Sequence, residues 1–133
     1  MMNLKKYNRK VNEIVDKTIS AVGKTVSEYD DVDRQLVCAV IFGMVNAFSM
    51  DEGINPVQIQ GAVIGFLVNK FNYSVEQASD FFDFLVRCTE PEYHKLMNVI
   101  IHKGIDAYQY LDNKKVLGKN INDMINMVKE AQS

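Results

Sequence analysis

Glu76, Asp80, Asp83 and Arg87 recur at i, i+4, i+7 and i+11, the spacing that aligns side chains along one stripe of a helix. Phe81 and Phe84 fall beside that stripe. An aromatic anchor inside a charged rim is how many protein-binding surfaces are built, and the acid would steer a basic partner toward it. The plainer alternative is a helix packed on two sides, with Phe81, Phe84 and Cys88 as its second apolar face and the acidic stripe as its wet edge. A second cluster, Glu28, Asp30, Asp31 and Asp33, places four carboxylates within six residues. Helix capping and solvation account for it, and the ligand spacing of an EF-hand is absent. Asp30, Asp31 and Asp33 join the first stripe as candidate partner-binding residues.

Glu90, His94, Asn98, His102 and Asp106 step by four and invite a metal reading. His94 and His102 would lie two turns apart, about 12 Å along the axis, too far to share one ion. Lys95, Asn98, His102, Asp106 and Gln109 are better read as the solvated face opposite Tyr93, Met97, Ile100, Ile101, Tyr108 and Leu111. Cys38 and Cys88 sit in apolar runs with no CxxC or CxxH pairing, so two buried free thiols are expected rather than a zinc site. No serine occupies a GxSxG elbow, no Gly-rich loop could cradle phosphate, and nothing points to general acid–base chemistry. A non-enzymatic protein is expected, with no catalytic residue, metal or cofactor.

The bulk numbers agree with that modest chemistry. A chain of 133 residues with 47% hydrophobic and 24% charged residues is an ordinary globular composition. A net charge of −2 leaves no electrostatic footprint for nucleic acid. Polar residues interrupt every long apolar stretch, so no membrane span is expected, and the basic start lacks the apolar run of a secretory signal. A cytoplasmic location follows as the expectation.

Helices must position these residues, because no segment alternates with period two. The stretch Leu36 to Phe48 is apolar at 11 of 13 residues, too many for a helix with a wet face, and reads as a buried central helix. Its one soft side holds Gln35, Phe42, Asn46 and Ser49. Phe42 is expected to be covered there by a Gly61–Gly65 stripe on the next helix. An amphipathic first helix is expected from Leu4 to Val26. Asp30 or Asp31 should cap the second, which runs to about Met50. Asn55 and Pro56 open a third that is apolar almost all round. Ser74 and Gln77 form a capping box for the fourth, Val75 to Cys88, with Val75, Ala78, Phe82, Leu85 and Val86 facing the core. Thr89 and Glu92 repeat the box for a fifth, Glu90 to Leu111. A last helix carries Leu117, Ile121, Met124, Ile125 and Val128. The expected fold is all-α: a single globular bundle of five to six helices in one domain, with two largely buried central helices.

With its helical layout, its acidic stripe Glu76, Asp80 and Asp83 beside Phe81 and Phe84, and its EYDDVD cluster, the chain resembles the all-α immunity proteins of bacterial polymorphic toxin systems. The resemblance implies a small cytoplasmic protein that binds and blocks one toxin domain, here a basic one, by occluding its active site. Two other readings stand beside it. One is a homo-oligomeric structural or adaptor module using surplus apolar faces on helices two to four. The other is a helical small-ligand carrier or enzyme whose pocket, between helices two and three, would reach Gln35, Asn46, Gln58 or Asn69.

Overall fold

The computed structural model describes residues 2–133, and among these it is all-helical. The six helices are α1 (Leu4–Val22), α2 (Asp31–Asp51), α3 (Pro56–Phe71), α4 (Val75–Arg87), α5 (Lys95–Ala107) and α6 (Lys114–Gln132). Short 3-10 turns at Val26–Glu28 and Tyr108–Tyr110 complete the order. The buried apolar side chains form one contiguous cluster with α2 at its centre, where every residue from Leu36 to Val45 is buried. By length and composition α2 could cross a membrane, yet 72% of its apolar window is already covered by the protein's own side chains.

The central pair is α2 and α5, and glycine makes it possible. A Cβ placed on Gly43 would fall onto the Ile101 carbonyl oxygen, and one on Gly104 onto the Val40 carbonyl oxygen. The two backbones therefore touch at the crossing, closer than any side chain permits. The dispersion attraction along so close an approach is small for each atom pair and large in sum. The other walls close around this pair. Tyr7 of α1 stacks on Phe48 with ring centroids 5.9 Å apart, and its hydroxyl shares a buried 2.7 Å hydrogen bond with Ser49.

Several sequence expectations need correction. α1 stops at Val22 because Gly23 turns into the left-handed region (φ 84°), which ends a helix readily only at glycine. α3 is no central helix: only Val63, Phe66, Leu67 and Phe71 are buried, and Val57 is 76% exposed. Phe42 is covered, but by Phe82 of α4 packing edge-on at 6.2 Å, not by Gly61 and Gly65, which face open space. On α4 the inward arc is Ala78, Phe82 and Leu85 with Cys88 just beyond, which rotates Val75 and Val86 outward. The Thr89 and Glu92 box is not used. Pro91 lies in the connecting turn, Thr89 instead donates its hydroxyl to the Val86 carbonyl, and α5 starts only at Lys95. Of the polar residues expected in a carrier pocket, Gln35 and Asn69 are exposed and Asn46 donates to the Phe42 carbonyl of its own helix.

The acidic cluster before α2 turns out to be a clasp. Asp30 is the N-cap, accepting from the Asp33 amide at 2.8 Å, while Asp33 accepts from the Asp30 amide at 3.1 Å. Lys129 of α6 reaches both carboxylates at 2.8 Å, and Lys24 reaches Asp33 at 3.2 Å. Burial pushes the Asp33 carboxyl up, but hydrogen bonds from Lys129, the Asp30 amide and Lys24 outweigh it, leaving the pKa below its ordinary 3.8. Asp30 is lowered as well, first by the Asp33 amide and then by Lys129. The clasp ties the end of the chain to the start of its central helix.

The crossing and the clasp can each be tested by substitution. Gly43→Ala and Gly104→Ala each drive a methyl into backbone and should cost about 3 kcal/mol or more, or prevent folding. Gly61→Ala and Gly65→Ala, at open helix positions, should stabilise by about 0.5–1 kcal/mol each. Urea denaturation separates the two classes, and a wild-type midpoint for Gly43→Ala would refute the close crossing. The clasp sets the acid limit. Carboxyls lowered on folding contribute stability that is complete above their unfolded pKa and lost as pH falls through the folded one. Wild-type stability should therefore fall below about pH 4. Asp33→Asn should be less stable at pH 7 and flatter across the acid window, and parallel curves for the two proteins would contradict the clasp.

Candidate functional site

The acidic stripe and its phenylalanines meet on one surface of α4. Glu76, Asp80, Asp83 and Arg87 are all exposed, and the three carboxylates make no ion pair among the described residues. Phe81 and Phe84 are half-buried and stack on each other with centroids 6.1 Å apart. They are the middle rungs of a longer ladder. Tyr73 stacks on Phe81 at 5.5 Å, and beyond Phe84 stand Tyr93 at 6.2 Å and His94 at 5.8 Å, both edge-on. The Arg34 guanidinium lies 4.4 Å over the Tyr73 ring and pairs with Asp31 at 3.5 Å.

Each rung is held by local sequence. Asn72 adopts the left-handed conformation (φ 62°) that ends α3, and Ser74 with Gln77 forms the expected capping box, so Tyr73 is pinned between them. His94 leaves the helical row that its spacing suggests and becomes the α5 N-cap, its Nδ1 accepting from the Met97 amide at 3.2 Å. That fixes Tyr93, which is 50% exposed and not on the core face. Asn98 in the first turn of α5 donates to the Cys88 and Thr89 carbonyls at 3.0 and 3.2 Å, stitching the end of α4 to α5.

Of the eight candidate residues, six share this face. Glu76, Asp80, Phe81, Asp83 and Phe84 lie along α4, and Asp31 joins them through Arg34 and Tyr73. Asp80, Asp83, Phe84, Arg87 and Tyr93 line a shallow depression of about 210 Å³. Asp30 and Asp33 belong to the clasp, and Asp33 is 3% exposed, so neither offers a free carboxylate to a partner. Tyr73, Tyr93, Arg34 and His94 are additions that pattern reading missed. A signal existed for two of them: Tyr73 and Tyr93 each immediately precede a helix cap, the position of a hydrophobic staple.

Burial pushes the Tyr73 hydroxyl up to about 12, so it stays protonated and is no base at neutral pH. Burial likewise raises both thiols, Cys38 and Cys88, keeping them from the reactive thiolate form. Among the described residues no three His, Cys, Asp or Glu side chains converge as metal ligands. The face presents a run of packed rings, stacked from Tyr73 to Phe84 and edge-on beyond, with exposed carboxylates alongside.

Comparisons with curated proteins and with solved structures return no match. A model of the family described as Immunity protein 48 matches residues 7–129. That span runs from the tyrosine that anchors α1 to the lysine that closes the clasp, and includes the whole ladder. The all-helical bundle and the family match agree with the resemblance drawn from sequence character, and the chain belongs to the Immunity protein 48 family.

Proposed function

We propose that this immunity protein acts in the cytoplasm, where it neutralises a cognate toxin by laying the α4 ladder over a basic active site. The observation that carries the reading is the juxtaposition of half-buried stacked rings with exposed carboxylates that make no ion pair among the described residues. Rings give apolar contact area that costs little side-chain freedom when bound, and the open carboxylates would speed encounter with a positively charged surface. Family membership supports a protein partner; the toxin's basicity and the occlusion of its active site are inferred from the charge and shape of this face.

The test uses the cognate toxin domain and calorimetry or surface binding at two salt concentrations. Charge reversal by Asp80→Lys with Asp83→Lys should weaken the complex about tenfold or more at low salt and flatten its salt dependence, without changing the helical circular dichroism. Tyr93→Ala, at the exposed end of the ladder, should weaken it by about 2 kcal/mol, mainly through faster dissociation. Unchanged affinity in both variants would place the toxin on another surface.

A further inference from the structure

The two ends of the ring ladder are built from the same parts, and the chain fills only one of them with a cation. At the Tyr73 end, Arg34 lies 4.4 Å over the ring and pairs with Asp31 at 3.5 Å. At the other end, Phe84 and Tyr93 meet Asp80, Asp83 and Arg87 around the depression of about 210 Å³. Rings and carboxylates are again side by side. Among the described residues, however, no cation stacks on these rings and neither carboxylate makes an ion pair. We propose that this depression takes the guanidinium of one arginine of the toxin, held by the Asp80 and Asp83 carboxylates and the Phe84 and Tyr93 rings. Such an arginine would be one anchor of the α4 contact proposed above, and it stands on that reading.

The chemistry of the walls selects this guest. Asp80 and Asp83 are three residues apart on α4, so their side chains are neighbours that can share the donors of a planar fork. A guanidinium is weakly hydrated and stacks on aromatic rings, whereas an ammonium is a strongly hydrated point charge. Arg34 over Tyr73 shows the same ladder accepting that group. The depression suits the end of one side chain rather than a helix.

Local charge disfavours the other guests. Residues 76–93 hold five carboxylates, Glu76, Asp80, Asp83, Glu90 and Glu92, against the single cation Arg87. A carboxylate would have to reach Arg87 through that field, while a guanidinium is drawn in by it. A second copy of this chain could offer its own Arg87, but two faces with the same excess of acid would then meet and repel. Arg87 is exposed and makes no ion pair among the described residues, so its like charge opposes the guest from one wall.

The test is a set of double-mutant cycles between the intact chain and the cognate toxin domain, read by calorimetry. Asp83→Asn keeps the shape and removes the charge at an exposed position, and each exposed arginine of the toxin is replaced in turn by alanine. One arginine should couple to Asp83→Asn by about tenfold or more, and the others by less than about twofold. Replacing that arginine by lysine instead should recover only part of the loss. Tyr93→Phe should bind as the native protein does, while Tyr93→Leu should weaken binding about threefold by removing the ring. Arg87→Gln should tighten the complex about twofold. Coupling spread over many toxin residues, a lysine as the coupled residue, equal binding of the two Tyr93 variants, or a weaker complex from Arg87→Gln would each overturn the arginine seat. So would a dimer in sedimentation that Asp83→Asn dissolves, since the guest would then be Arg87 of a second copy. The variant carrying Asp80→Lys with Asp83→Lys separates this seat from the wider surface. If that variant weakens the complex while no single arginine couples, the ladder stands and the seat falls; if it changes nothing, both fall.

Discussion

The structure depends on the contact of two backbones at Gly43 and Gly104. Because α2 and α5 touch there without intervening side chains, α2 can be covered on every side and still leave α5 a free outer face. Everything at the candidate site hangs from α5 and α2. Asn98 and the His94 cap fix the turn that ends α4, while Phe82 locks onto Phe42 from the other direction. The rings of the ladder are thereby held on rigid supports before any partner arrives, which reduces the ordering cost of binding.

Charge is divided by the fold into two populations. Asp30, Asp33, Lys24 and Lys129 neutralise one another at the clasp and serve the chain itself. Glu76, Asp80 and Asp83 stand apart on α4. The net charge of −2 therefore understates the field at the ladder, where three carboxylates face only Arg87 on their own stripe. A protein of nearly balanced charge can still present a locally acidic surface.

Much of this was legible in the sequence, and the failures share a cause. Continuous apolarity from Leu36 to Phe48 announced a buried helix, and Asn55–Pro56 and Ser74 with Gln77 marked helix starts that the structure uses. The stripe on α4 and its two phenylalanines were readable from spacing alone. What periodicity could not carry was which helix lies against which. Gly61 and Gly65 have the spacing of a close-packing stripe, whereas Gly43 and Gly104, each isolated within its helix, make the crossing. Tyr73 escaped because it belongs to a turn, where no period marks a face, and Tyr93 was placed on the apolar face of a helix that in fact starts only at Lys95. Asp33 has the look of a surface carboxylate because Lys129, on the last helix of the chain, is invisible to any local pattern.

The central claim is that the α4 ladder is the face the toxin covers. Hydroxyl-radical footprinting tests it directly, since the radicals oxidise the aromatic and methionine side chains in question. Titrating the toxin into the intact protein should protect Phe84 and Tyr93 while the exposed Met50, outside the ladder, continues to oxidise at its free rate. Unaltered oxidation of Phe84 and Tyr93 in a saturated complex would contradict it.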